Sequence, residues 1–203
     1  DHWKKDFVED PSLEWWSEPW YKEVKQGLFV KRDFNKGQMA RDMTLFVDDD
    51  NKAYHIYSSE ENLTLHIAEL ADDYLSFTGK YITLAPAGHN EAPTMFKRNG
   101  TYYMITSGCT GWDPNAARSF KSQSIWGPWE SLGNPCRGEG ADLTFNSQST
   151  YVLKVEGVED RYIFMADRWN PKNHIDGRYV WLPIQWDGDR PILEWKDRWN
   201  LED

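Results

Sequence analysis

One pattern recurs three times along this chain and limits what it can fold into: a polar residue, a short apolar strand, a turn, and a second, aromatic strand. It first runs through Asp42, Thr44-Leu45-Phe46-Val47, a turn at Asp48-Asp49-Asp50-Asn51, and Ala53-Tyr54-His55-Ile56-Tyr57. It returns as Glu91, Thr94-Met95-Phe96, Arg98-Asn99-Gly100 and Tyr102-Tyr103-Met104-Ile105. The third copy is Gln148, Thr150-Tyr151-Val152-Leu153, a turn around Glu156-Gly157, and Arg161-Tyr162-Ile163-Phe164-Met165. The leading residues Asp42, Glu91 and Gln148 lie 49 and 57 positions apart. A period of about 50 residues with several short strands per unit marks an all-β chain of the β-propeller class. In such a fold the innermost strand of every blade starts at one end of a central channel, so residues leading those strands converge. Two carboxylic acids and an amide at a channel mouth make a candidate site.

The blades are expected at about residues 41–84, 89–132 and 146–199, within a partial propeller domain spanning 41–203. A closed ring of five blades at this period needs roughly 250 residues, more than the 203 present. Three blades alone leave open flanks, and open strand edges are a liability, so further blades are expected from another segment or chain. Residues 1–40 do not fit the repeat and are rich in acids and tryptophan, with Trp3, Trp15, Trp16 and Trp20. They read as an inter-blade insertion or leader segment, partly helical and partly irregular. Ser17 suits an N-cap, Pro19 a first turn and Gly27 a stop, which predicts a short helix from Glu18 to Gln26.

Within the blades, Asn99-Gly100 is a strong hairpin signal, because both residues tolerate positive φ. Alternation over Leu63–Ala68 predicts a third strand of the first blade, with Lys80–Leu84 as its fourth. In the last repeat Arg178–Ile184 is the expected third strand, and Leu193-Glu194-Trp195 is expected to close the blade. Two loops follow second strands at equivalent places, one around Thr110-Gly111-Trp112 and one around Asp167-Arg168-Trp169. Gly108 and Gly111 allow backbone to approach a ligand closely. Trp112 reads equally as a stacking face or as a buried filler of a long turn.

Composition excludes several functions. The net charge of −10 argues against nucleic acid, where Lys and Arg contacts with phosphate dominate. No run of 18 apolar residues is long enough to span a membrane, and no signal-peptide pattern opens the chain. The Asp48-Asp49-Asp50 run lacks the ligand spacing and terminal Glu of an EF-hand loop, so it reads as a hairpin turn rather than a metal site. Cys109 and Cys136 can pair, but their spacing matches no zinc or redox pattern. Twelve tryptophans and 15% aromatic residues partly fill a core. A flat indole also packs on the C–H face of a pyranose while its N–H finds a polar partner.

A Glu led into an aromatic channel is partly desolvated, which raises its pKa and lets it hold a proton for a leaving oxygen. Pro93, lacking an N–H, suits the strand start just after Glu91. Asp42, ionised nearby, would help keep Glu91 protonated. An acid and a base flanking a scissile bond is the logic of glycoside hydrolysis. Gln148 is a poor base as an amide and reads at least as well as a hydrogen-bonder to substrate. Arg41 and Arg178 are candidates to orient a substrate hydroxyl or to hold Asp42; a lone Arg such as Arg41 reads better as a surface ion-pair partner.

At these motifs the chain resembles glycoside hydrolase family 43, whose members are five-bladed β-propellers that act with inversion. Arg41-Asp42-Met43-Thr44-Leu45-Phe46 with its Asp-rich turn resembles the segment carrying the family's pKa-modulating Asp. Glu91-Ala92-Pro93 resembles the segment carrying the general acid. The similarity is closest to the branch of exo-β-1,3-galactanases, where the usual base Asp is absent and a Gln leading the last blade takes that place; Gln148 in Ser147-Gln148-Ser149 falls there. The resemblance implies that the chain corresponds to the last three blades, with two more before residue 1. It implies catalytic roles for Glu91, Asp42 and Gln148; from the residues themselves, substrate contacts are expected from Arg41, Thr110, Gly111, Trp112, Asp167, Trp169 and Arg178. The implied substrate is a terminal sugar on β-1,3-galactan or on plant-type polysaccharide side chains. β-Xylosidase, α-L-arabinofuranosidase or a non-catalytic carbohydrate-binding propeller are the alternatives. No cofactor is required; some members hold a structural calcium in the channel, but no ligand set for one is visible. A secreted or periplasmic setting is implied as well.

Overall fold

The structure, a computed structural model, describes residues 39–59, 62–85 and 88–201. The helix expected at Glu18–Gln26 and nearly all of the expected insertion lie outside the described residues. The chain divides into two compact units, Asp1–Glu91 and Ala92–Asp203.

In the first unit, β1 (Met43–Val47), β2 (Ala53–Ser59), β3 (Thr64–Leu70) and β4 (Phe77–Leu84) form one antiparallel meander in chain order. The expected fourth strand starts three residues earlier than the sequence implied, at Phe77. Asn51, at φ 65°, closes the β1–β2 hairpin, in which the Asp48 amide bonds the Lys52 carbonyl at 2.9 Å. Asp48 and Asp50 use their carboxylates on the amides of Asp49 and Lys52, so this acidic run does work as a turn. Ile56, Leu65 and Ile67 are fully buried. Period-two alternation puts Met43, Leu45 and Val47 of β1 on one face, opposite Tyr57, His55 and Ala53 of β2.

In the second unit, β5 (Glu91–Arg98), which begins on the last residue of the first unit, leads β6 (Thr101–Ser107), β7 (Arg118–Ser122) and β8 (Glu130–Gly133) in a second four-stranded sheet. The β5–β6 turn has Asn99 at φ 49° and Gly100 at φ 80°, as a type I′ hairpin requires. The third sheet is β10 (Gln148–Lys154), β11 (Tyr162–Arg168) and β12 (Arg178–Pro183). The closing strand departs from expectation. β14 (Arg190–Glu194) pairs with β13 (Gln185–Asp187) and, in parallel, with the two-residue β9 (Cys136–Arg137), forming a small separate sheet. Leu193 is fully buried there, and its amide bonds the Pro135 carbonyl at 2.9 Å.

An aromatic cluster packs this unit together. Phe96 lies 5.4 Å from Tyr103 and 5.5 Å from Tyr162, ring to ring, and Trp186 meets Tyr103 edge-on at 5.1 Å. Arg98 lies 3.9 Å over the Trp186 ring and grips Asp160 through two parallel N–H···O bonds, which holds the Asp160 carboxyl below the usual carboxylate range. Cys109 and Cys136 form no disulfide. Cys136 is buried, and burial pushes its thiol up to about 12, so it serves as a small apolar filler.

Candidate active site

Asp42 immediately precedes β1, Glu91 is the first residue of β5, and Gln148 is the first residue of β10. Each of these strands stands at the outer end of its sheet's order, the place a blade gives its innermost strand.

Gln148 is delivered by an unusual turn. After the short 3₁₀ turn Ala141–Leu143, three consecutive non-glycine residues are left-handed: Thr144 at φ 49°, Phe145 at 56° and Asn146 at 58°. Such residues are each strained and persist only where neighbours hold them. Thr144 Oγ1 accepts from the Ala117 amide at 2.8 Å and donates to the Asn115 carbonyl at 2.7 Å. Ser147 Oγ donates to the Thr144 carbonyl at 2.5 Å. The Arg168 guanidinium closes on the Phe145 carbonyl at 3.1 and 2.8 Å, with its other face over the Trp195 ring at 4.8 Å. A register shift in β10 between Ser149 and Tyr151 re-aims the strand just beyond Gln148, as bulges near functional sites do. Gln148 Nε2 donates to Ser107 Oγ at 2.8 Å, which fixes the amide and leaves the carbonyl Oε1 as its acceptor.

A cavity of about 120 Å³ opens beside Gln148, lined also by Ser107, Gly111, Trp112, Asp113, Asn115, Asp167 and Trp169. The structure thus brings together both loops that the sequence placed at equivalent positions. Trp112 and Trp169 lie 5.1 Å apart, ring to ring, and His174 lies 4.7 Å beyond Trp169. Trp112 is 74% exposed, so it is not a buried filler of its turn. Gly111, at φ 65°, provides the turn that carries it. Asn115 braces that loop, accepting from the Gly108 amide at 2.7 Å and donating to the Gly108 carbonyl at 3.0 Å and to Thr110 Oγ1 at 2.8 Å. Asp167 faces Gln148 directly across the β10–β11 ladder, and burial raises its carboxyl above the ordinary range.

Within the second unit, Thr110 and Arg178 do not line this cavity. The Thr110 hydroxyl is engaged with the Asp113 carbonyl at 2.6 Å, a role in holding the loop. Arg178 is exposed and ion-paired with Asp176. In the first unit Arg41 and Asp42 are exposed, and the Ser58 amide bonds the Asp42 carbonyl at 2.9 Å. Glu91 is half-buried, and its Oε1 accepts from Asn62 Nδ2 at 2.7 Å. The residue after it, Ala92, is left-handed at φ 48° although it precedes a proline, a position biased toward extended backbone.

Sequence reasoning missed Asn62, Ser107, Asn115 and Arg168. Each acts by a contact distant in sequence or by bracing a turn, and periodicity carries no mark of either. Among the described residues no three His, Cys, Asp or Glu side chains gather as a metal site.

The chain is all-β, its blade-like sheets begin on Asp, Glu and Gln, and a tryptophan-walled cavity lies at one of them. The sequence pattern of Glycosyl hydrolases family 43 matches residues 10–191, and the chain belongs to that family; its fold is that family's β-propeller class. Among solved structures it is similar to a family 43 β-1,3-galactosidase determined with galactodeoxynojirimycin, at 59% identity and a TM-score of 0.90 over 97% of this chain and 57% of that one. It is also similar to an exo-β-1,3-galactanase of Clostridium thermocellum, at 39% identity and a TM-score of 0.70 over 78% of this chain and 34% of that one. A β-D-galactofuranosidase of Aspergillus niger is 35% identical over 135 residues, 66% of this chain and 38% of the relative. The chain therefore spans about half, or less, of the length of the relatives it matches.

Proposed function

We propose that this chain is the site-bearing part of an exo-acting, inverting glycoside hydrolase that removes terminal galactose from β-1,3-galactan or galactan side chains. The observation that carries this reading is the clamped amide of Gln148 heading β10 beside a cavity walled by Trp112 and Trp169. Its 59% identity to a β-1,3-galactosidase supports the choice of sugar.

In this reading Glu91 gives its proton to the leaving glycosidic oxygen as the C–O bond breaks. A water adds to the anomeric carbon from the other side. Gln148 Oε1 accepts a hydrogen bond from that water and orients it, and the proton the water gives up as its C–O bond forms passes to bulk solvent. The geometry of the amide favours this role, since its N–H side is already occupied by Ser107. Asp42, as an anion, keeps Glu91 protonated until the reaction. Trp112 and Trp169 offer flat faces to the sugar ring, with Gly111 and Asp167 bonding hydroxyls and Thr110 holding the loop. Arg41 and Arg178 serve further hydroxyls in this reading.

Two further blades, upstream of Asp1, complete the ring in this reading. Met43, Leu45 and Val47 are 54, 61 and 55% exposed on one face of the first sheet, and an alternating apolar face of this kind needs a covering layer. A polymer substrate too large to cross a membrane places the enzyme outside the cell or in the periplasm. No helix among the described residues is long and apolar enough to cross one.

Substitution of the acid tests the assignment. Glu91→Gln should lower kcat on β-1,3-galactobiose by roughly 10²–10⁴ with the fold intact, and an unchanged rate would remove Glu91 from its role. Gln148→Ala should abolish turnover nearly completely; a raised KM with kcat preserved would reduce Gln148 to a binding group. Release of xylose or arabinose rather than galactose from a panel of aryl glycosides would move the substrate within the family.

A further inference from the structure

We infer that Asn62 is the residue that positions Glu91 for proton delivery; this rests on Glu91 being the general acid. Asn62 lies in the β2–β3 turn, 29 residues before Glu91, and its Nδ2 donates to Glu91 Oε1 at 2.7 Å. An N–H group only donates, so the oxygen it binds acts as acceptor, and the better acceptor of a carboxyl group is its carbonyl oxygen, which favours the acidic proton of Glu91 on Oε2. The contact therefore holds the rotamer of the carboxyl group and favours one oxygen for delivering the proton.

Three features indicate that the turn is built for this contact. Asn62 is only 4% exposed, although amide side chains ordinarily stay at the surface. Its Oδ1 is buried with no hydrogen-bond partner among the described residues, a disfavoured state that a purely structural amide would avoid. Its backbone is left-handed at φ 63°, a conformation that Asn tolerates better than most residues. The same turn also holds the chain leading to Glu91. Ser58 Oγ donates to the Asn90 carbonyl at 2.7 Å, and the Gly88 amide donates to the Leu63 carbonyl at 3.2 Å. Asn62 thus extends a backbone clamp onto the side chain that matters.

The test uses the protein with its upstream blades and two substrates. β-1,3-Galactobiose needs its leaving oxygen protonated; 2,4-dinitrophenyl β-galactoside does not. Asn62→Gly removes the side chain yet suits the left-handed backbone, and Asn62→Asp keeps the shape while replacing the donor. Both should lose about 10- to 100-fold in kcat on galactobiose, the scale of a misplaced catalytic group, and stay near the wild-type rate on the dinitrophenyl substrate. Adding Asn62→Gly to Glu91→Gln should cost nothing further, because one acts through the other. Equal losses on both substrates, or wild-type rates on both, would overturn the role of Asn62. A Glu91→Gln variant that still cleaves galactobiose normally would instead overturn the acid assignment on which it rests.

Discussion

Gln148 shows how little of a side chain's chemistry lies in its own identity. As an amide it is a weak base, but with Nε2 held by Ser107 its carbonyl becomes a fixed acceptor able to orient a water. Across the ladder, Asp167 has its carboxyl raised by burial, so it takes up a proton at a higher pH than the ordinary value near 4. As a bonding group for a sugar hydroxyl, Asp167 is the stronger acceptor while ionised. Its contribution to binding should be present above its elevated pKa and fade as pH falls through it. We predict a KM for galactobiose that climbs on the acid side, and an Asp167→Asn variant whose KM is higher and flat over the same range. A wild-type KM indifferent to pH there would exclude Asp167 from substrate contact. The leading residues Asp42, Glu91 and Gln148 were visible in the sequence because polar residues opening aromatic strands are conspicuous. Asn62 was invisible because its meaning depends on a turn meeting a strand end 29 residues away.

At the scale of elements, the first sheet carries a buried histidine that ties its stability to pH. His66 of β3 is fully buried, with its ring nitrogens 3.1 Å from Thr64 Oγ1 and 3.2 Å from Tyr57 OH and its ring beside Tyr81. Burial lowers its pKa to about 3. The folded value lies below the unfolded one near 6.5, so the unfolded chain binds the extra proton first. The stability contribution is therefore full above pH 6.5 and is lost progressively as pH falls toward 3. Between pH 7 and pH 5 the loss should be about 2 kcal/mol. Urea unfolding at the two pH values measures it, and His66→Asn should remove most of the difference; an identical slope in that variant would assign the effect to other groups. Strand positions were largely legible, since alternation and Asn-Gly turns are local signals. The closing strand was not. Leu193-Glu194 looked like the edge of the last blade, but it pairs instead with Cys136-Arg137, a partner more than fifty residues earlier that no local pattern announces. The left-handed run Thr144-Phe145-Asn146 was equally hidden, because none of these residues is glycine and the strain is held by Arg168 and Thr144 contacts from elsewhere.

For the molecule as a whole, the repeat near 50 residues identified the architecture, and the family to which the chain belongs agrees with it. The aromatic excess divides into two uses. Phe96, Tyr103, Tyr162 and Trp186 cement the second unit, while Trp112 and Trp169 stay exposed beside the cavity. Composition alone held both uses without separating them. The most direct test of the account is to incubate β-1,3-galactan with the full-length protein and follow the first-formed sugar by NMR. Inverting exo-hydrolysis predicts galactose as the sole small product, appearing first as the α-anomer from the β-linkage and then mutarotating. Galactan binding without any sugar release, or galactose appearing first as the β-anomer, would contradict it.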